Sequence, residues 1–214
     1  MSVPTSDVDI CNLALSRLGQ AAITSVAVPT TSSADICARH YDETRRELLR
    51  AYVLNFSRKR AVWTSEPSYV PAFGLATAYR LPNDFIRFLA SGSIDALAGD
   101  TPGFLYDFED GYFLCDSGDA VAGGINVQYV FDAKNVTKYD PLFVRAFRLQ
   151  LAADMAYAFT LKPALVKSLE DELKDARAAL AAVAGQEKPP RRVQRSRIRD
   201  VRRSGGIFRD NTRI

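Results

Sequence analysis

The sequence has very few of the residues that most often build catalytic or metal centres. Of its 214 residues one is a histidine, His40, and three are cysteines without a CxxC spacing. A nucleophile–histidine–acid triad would need His40 to face a cleft, and a zinc site would need closely spaced ligands. An odd number of unpatterned cysteines is typical of reduced thiols in a cytosol. We therefore predict that the chain is not an enzyme and has no catalytic residue, metal or cofactor.

Long apolar runs and phosphate-binding motifs are missing as well. No stretch approaches the ~20 apolar residues of a membrane span, and the opening MSVPTSDVDI lacks the basic and apolar regions of a signal peptide. The chain contains neither GxxxxGK nor GxGxxG, the glycine motifs that cradle phosphates. The DSGD at 116–119 lacks the oxygen spacing of a calcium loop. We expect no membrane partner.

Charge is unevenly distributed along the chain. Lys and Arg number 28 and Asp and Glu 25, so the net charge is only +3. Residues 188–214 hold ten Lys and Arg and two Asp, a net charge of +8. Residues 1–187 then carry 18 basic and 23 acidic residues, a net charge of −5. The sequence is a mildly acidic body with a basic C-terminal arm, and such a body gives no help in wrapping DNA.

Helical periodicity occurs at both ends of the body. Ser6 and Asp9 have the spacing of a capping box, and Gly19 is a suitable end for the first helix. A second helix is predicted over 33–52. Asp140 and Pro141 start a third helix, and the fourth runs over 163–185.

Short segments rich in aromatic and β-branched residues fill the middle of the chain. Between 55 and 131 they alternate with Gly, Pro, Asn and Asp, which is typical of strands and turns. Asp110-Gly111 between segments 104–109 and 112–115 predicts a hairpin. The predicted fold class is α+β, mainly α: a helical bundle of two antiparallel helix pairs with an inserted small antiparallel β region and an extended C-terminal arm. The predicted domains are 1–54, 55–131, 132–187 and 188–214.

Two polar residues are predicted in the bundle core. His40 lies in the apolar stripe that we assign to the second helix, so we predict a buried structural histidine. Asp154 lies on the inner stripe of the third helix, and a buried carboxylate needs a partner. Candidate partners are His40, Arg17 and Arg148, and an equally good alternative places Asp154 in water at the edge of the stripe.

The arm has features beyond its charge. Nine of its ten basic residues are arginine, whose planar fork fits carboxylates and backbone carbonyls as well as phosphates. A Gly205-Gly206 hinge is followed by three apolar anchors, Ile207, Phe208 and Ile214. Such a segment can add as a strand or lie in a groove of a partner, and the alternative is a disordered solubilising tail. The residues predicted to bind a partner are Arg191, Arg192, Arg195, Arg197, Arg199, Arg202, Arg203, Ile207, Phe208 and Ile214.

Four separated stretches carry a family resemblance. In order they are DICNLALSRLGQAAITS, CARHYDETRRELLRAYVLNFSRKRAVW, YRLPNDFIRFL and YDPLFVRAFRLQLAADMAYAFT. Together they resemble the bacteriophage head-to-tail adaptor family, the tail tubular protein A type of short-tailed phages. The resemblance spans about residues 7–185 and does not include the arm's own sequence.

The resemblance implies a non-enzymatic structural protein of the virion, located at the head–tail junction and assembled in the host cytoplasm. Members form a ring of twelve copies between the portal protein and the tail nozzle or next tail ring, and genomic DNA passes through it without sequence-specific binding. It also implies a helical bundle with an inserted β region. In related adaptors a C-terminal extension grips the portal, so the resemblance implies that the arm is a docking segment.

Three alternatives stay open from the sequence. The arm could serve a nucleic-acid-binding module, although Phe208 is its only aromatic residue. A tail-associated glycosidase would need two carboxylates brought together in space, which a sequence cannot display. A neck protein of another tail type would have much the same pattern.

Overall fold

The computed structural model describes residues 4–91, 105–116, 120–121, 124–159 and 163–187. These residues form an α+β fold that is mainly α, as predicted. The α-helices are α1 (Asp7–Arg17), α2 (Ser32–Ala51), α3 (Pro141–Phe159) and α4 (Pro163–Gln186). The strands are β1 (Arg58–Thr64), β2 (Thr77–Arg80), β3 (Phe85–Ser91), β4 (Tyr106–Glu109), β5 (Tyr112–Cys115), β6 (Ala120–Val121) and β7 (Gly124–Phe131).

The helices begin where capping residues allow. The predicted capping box of α1 is confirmed: the Asp9 N–H donates to Ser6 Oγ (3.2 Å), and the Ser6 N–H donates to the Asp9 carboxylate (3.0 Å). Asp140 caps α3 by accepting from the Leu142 N–H at 2.7 Å. The second helix starts one residue before our prediction, because Thr31 provides its cap.

The third helix is the centre of the bundle. Helices α1, α2 and α4 all pack on α3, and α1 and α2 contact it more extensively than they contact each other. Its buried residues extend around much of its circumference, from Phe143 to Ala156. The bundle is therefore organised around one buried helix rather than as two equal pairs.

The β region is a sandwich of two antiparallel sheets. One has the order β1-β7-β3 with β6 on β7, and the other has the order β2-β5-β4. Trp63 of the first sheet meets Phe113 of the second with ring centroids 5.6 Å apart, within an aromatic core between the sheets. The predicted hairpin joins β4 to β5, with Asp110 and Gly111 at φ of 44° and 78°, as a turn of this kind requires.

The sheets adjoin the helices at one end. Ile86 and Val130 belong to the main apolar core together with the helices. Segment 55–57, predicted as strand, is a short 3-10 helix before β1. None of the described helices is long and apolar enough to cross a membrane. The arm, 188–214, lies outside the described residues.

Candidate interaction surfaces

The ten arm residues predicted to bind a portal lie outside the described part of the chain. The helix before the arm is described, and it ends at Gln186 with Glu187 still donating its N–H to the Val183 carbonyl (3.0 Å). The last described helix therefore ends two residues before position 188, where we predict the arm to begin.

The predicted burial of His40 is wrong. The histidine is partly exposed, and no described hydrogen bond reaches it. The buried face of α2 instead runs through Cys37, Tyr41, Thr44 and Leu48. The centre of this buried face lies roughly 100° around the helix axis from His40, which is the rotation between successive residues of an α-helix. The neighbouring apolar Ile36 and Ala51 drew the predicted stripe toward the wrong side of the helix.

Asp154 lies at the edge of the core and is partly buried, and its partners differ from those predicted. It accepts from Thr44 Oγ1 at 2.9 Å and from Gln150 Nε2 at 2.8 Å. Arg177 bonds Gln150 and pairs with Glu47 at 3.1 Å. This polar network joins α2, α3 and α4. Of the predicted partners, Arg17 pairs with Glu172 of α4 instead.

Arg45 is the buried charge that the sequence reasoning missed. Arg45 as a whole residue is only 3% exposed. Nε and Nη2 donate to the two carboxylate oxygens of Asp132 at 3.0 and 3.1 Å, and Nη1 donates to Asp42 at 2.5 Å. Burial opposes the charge, but Asp132 and Asp42 outweigh it and raise the pKa of Arg45. A sequence signal existed, because Arg45 lies one turn after Tyr41 and one turn before Leu49 on the buried face.

More contacts fix the sandwich to the bundle around this pair. The Asp132 N–H donates to the Asp84 carbonyl at 2.8 Å. Arg50 Nη1 at the end of α2 donates to the Ile86 carbonyl (2.9 Å), and Arg87 Nη1 donates to the Arg50 carbonyl (3.2 Å). The two arginines satisfy backbone carbonyls at the helix–sheet junction, which holds the sandwich in a defined orientation.

A cavity of about 560 Å³ lies beside Arg45. The start of α1, the middle of α2 and segment 134–136 line it. The Tyr41 hydroxyl at this site is buried without a hydrogen-bond partner, and burial raises its pKa. Asp42 and Arg45 are already bonded to each other. The cavity therefore brings together the buried Tyr41 hydroxyl and the Asp42–Arg45 ion pair.

All three cysteines lie in apolar cores. Cys11 and Cys37 are buried in the main core and Cys115 in the aromatic core. Cys37 Sγ lies 3.5 Å from Met155 Sδ. A hydrogen bond to Cys37, with burial, raises the pKa of Cys11. The described residues contain no cluster of three or more His, Cys, Asp or Glu that could hold a metal.

One face of the first sheet carries a group of arginines around Val130, which is buried in the bundle core. Arg58 and Arg87 both pair with Val130 in register, and Arg60 pairs with Gln128. Directly paired residues project to the same face, so these arginines share one side of the sheet. We call Arg58, Arg60 and Arg87 the arginine face. The other residues of this face are uncharged. Val130 is covered by the bundle, whereas Val62, Thr64, Ala90, Asn126 and Gln128 are exposed or partly exposed.

The far side of the sandwich has the opposite charge. Along β4, Tyr106 and Phe108 pack against Phe113 in the aromatic core, so Asp107 and Glu109 project outward. Asp110 follows in the turn, and all three acidic residues are exposed. We call Asp107, Glu109 and Asp110 the acidic edge. The described contacts contain no ion pair for any member of either group.

The chain matches no protein-family model, and a search of curated proteins also gives no match.

Proposed function

We propose that this protein is a structural head-to-tail adaptor of a bacteriophage virion. In this function copies of the chain form a ring, twelve by the family resemblance, between the portal protein and the tail nozzle or next tail ring. The ring lets genomic DNA pass through its centre. The arm docks each copy on the portal.

The order of elements is the observation that carries the proposal. Two helices, a β sandwich and two further helices follow one another along the chain, and the helices at both ends pack into one bundle. This is the layout that the four matching sequence stretches imply. The sandwich has an aromatic core of its own beside the bundle core, which gives a ring subunit one part for its neighbours and another for the next component.

The arm suits a docking function on physical grounds. A short extended segment buries partner surface without enlarging the body, and twelve linked contacts act together through effective concentration. A segment that orders on binding also delays assembly until its partner exists. We expect the isolated protein to be a monomer or weak oligomer that forms rings on portal.

Removal of the arm tests the proposal. A chain ending at Glu187 keeps all four helices, because α4 ends at Gln186. We expect little change in the thermal unfolding temperature. We expect at least a tenfold loss of portal affinity, measured by sedimentation, because losing about 1.4 kcal/mol of binding free energy already lowers affinity about tenfold. Portal binding by the truncated chain at unchanged affinity would falsify the docking function of the arm.

A control separates charge from apolar anchoring. A chain ending at residue 203 keeps the predicted arginine contacts but lacks the final apolar anchors. If the arginines alone hold the portal, this chain binds as the full chain does in low salt. If the chain ending at Glu187 retains portal binding but loses affinity for duplex DNA, the arm is a nucleic-acid-binding segment instead.

A further inference from the structure

We propose that the arginine face of one copy binds the acidic edge of the next copy, so that the β sandwiches join the subunits of the ring. The inference rests on the proposed ring and deepens it by naming its subunit interface. Its test uses portal-free protein, so its failure is distinct from failure of portal docking.

Charge complementarity between opposite sides of one sandwich is the first observation. The arginine face holds three cations without a carboxylate on the same sheet face. The acidic edge holds three carboxylates, with Arg80 two strands away as the cation on that side. Opposite charges on opposite sides attract successive copies, because each copy offers the surface that the previous one lacks.

The same distribution determines the kind of symmetry. If two arginine faces met across a two-fold axis, like charges would oppose each other, and the same holds for two acidic edges. A head-to-tail contact avoids both. Heterologous contacts of this type generate a closed ring when the rotation between copies closes.

Exposed apolar side chains accompany both charged groups. Val62, 62% exposed, lies beyond Arg60 on the arginine face. Leu105, 66% exposed, directly precedes β4. On the acidic side, Tyr69 stacks on Tyr112 at 4.1 Å and brings the β1–β2 loop onto the sheet, and this loop exposes Phe73. The apolar groups supply burial, while the charges fix the orientation.

The available area agrees with a contact that is weak by itself. Three strands at ~4.8 Å spacing and the seven residues of β1 at ~3.3 Å give a sheet face of roughly 15 by 23 Å. A stable pair usually buries about 800 Å² on each partner. The sandwich contact alone is therefore too small for a tight dimer, and closure of the ring is what makes it durable.

Duplex DNA is the competing partner for the arginine face, because arginine, threonine, asparagine and glutamine all contact phosphates. The acidic edge favours a second copy. DNA would leave that edge unused and would be repelled by it.

A charge-swap experiment on the full-length protein tests the inference. One variant carries Arg58→Glu and Arg60→Glu, and the other carries Asp107→Arg and Glu109→Arg. Arg87 is left unchanged because it donates to the Arg50 carbonyl at the junction with the bundle. Each pair of reversals places like charges at every contact between identical copies. We expect the wild type to associate with rising concentration in about 0.05 M salt, where charges act over longer distances than in 0.15 M salt. We expect each variant to associate at least about tenfold more weakly.

The mixture of the two variants is the decisive measurement. Alternating copies restore attraction at both kinds of contact, so the equimolar mixture should associate nearly as well as the wild type. The matched control reverses two exposed arginines of the bundle, Arg46→Glu and Arg145→Glu, and should associate normally. Circular dichroism and melting establish that every variant is folded.

Three results would overturn the inference. One is a mixture that associates no better than its separate components. Another is a wild type that stays monomeric at about 1 mM in low salt, a concentration at which even a 4 kcal/mol contact is populated. The last is a variant with reversed Arg58 and Arg60 that loses duplex DNA binding while its self-association is unchanged, since that result assigns the arginine face to nucleic acid.

Discussion

Arg45 of α2 and Asp132, the residue after β7, form a two-point ion pair at the junction of bundle and sandwich. The side chains are 4% and 13% exposed. A charge buried to this extent is stable only while its partner stays in place. The pair therefore links the position of the sandwich to the integrity of the second helix.

Removing one partner should destabilise the protein strongly. We expect Asp132→Ala to lower the free energy of unfolding by about 3–5 kcal/mol, because Arg45 is left buried with only Asp42. Urea denaturation measures the change. The matched control is Asp35→Ala, which breaks the exposed Arg39–Asp35 pair and should cost less than about 1 kcal/mol. Equal effects of the two substitutions would contradict the importance of the buried pair.

His40 should tolerate substitution. The side chain is partly exposed and has no described hydrogen-bond partner, so we expect His40→Gln to change the free energy of unfolding by no more than about 0.5 kcal/mol. A loss of 2 kcal/mol in the same urea experiment would show that the histidine makes a stabilising contact after all.

Stability should fall at high pH because of Tyr139. Burial raises the pKa of Tyr139 from 10.0 to about 12, and its hydroxyl donates to the Ala133 carbonyl at 2.7 Å. The folded state therefore keeps a proton that the unfolded state loses. This contribution is fully present below pH 10 and is lost as the pH rises toward 12.

Unfolding measured between about pH 9 and pH 12 checks this expectation, because this range includes the ordinary tyrosine pKa of about 10. Tyr139→Phe should be less stable at neutral pH by roughly 1 kcal/mol. It should also lose stability less steeply at high pH. Because other buried tyrosines titrate too, the slope should decrease rather than vanish, and an unchanged slope would exclude Tyr139 as a contributor.

Charge alone should not be enough for the arm. Replacing Arg195, Arg197 and Arg199 by lysine keeps the net charge but removes the planar fork, so portal affinity should fall by several-fold or more. Salt titration of portal binding distinguishes charge from geometry. Screening by salt weakens the portal affinity of both chains, whereas the affinity lost with the planar fork stays lost in low salt. Equal affinity of the lysine and arginine chains would reduce the arm to a simple polycation.

Local features of this chain were predictable from its sequence. The capping box of Ser6 and the Asp110-Gly111 turn depend on residues within four positions of one another, so their chemistry is visible in a short window. Long-range partners were not predictable in the same way. Asp132 meets Arg45 only after the sandwich has been built, and Thr44 reaches Asp154 from another helix.

The charged surfaces illustrate a second limit. Alternating arginines in RKRAVWT and alternating acids in YDFED are visible in the sequence, but their placement on opposite sides of one sandwich depends on strand register. A shift of one residue would turn either group inward. The phase of α2 shows the same difficulty for a helix, since a centre displaced by one residue moved His40 out of the core.

The central position of α3 has a consequence for the order of folding. The first two helices have their main apolar partner in a helix that begins at residue 141. During synthesis, chain growth is slow compared with helix formation. The N-terminal helices must therefore wait, with their apolar faces uncovered, until the ribosome has made the whole β region and α3. A chaperone or early folding of the sandwich would shield these apolar faces during that interval. The bundle closes only when the last third of the protein emerges.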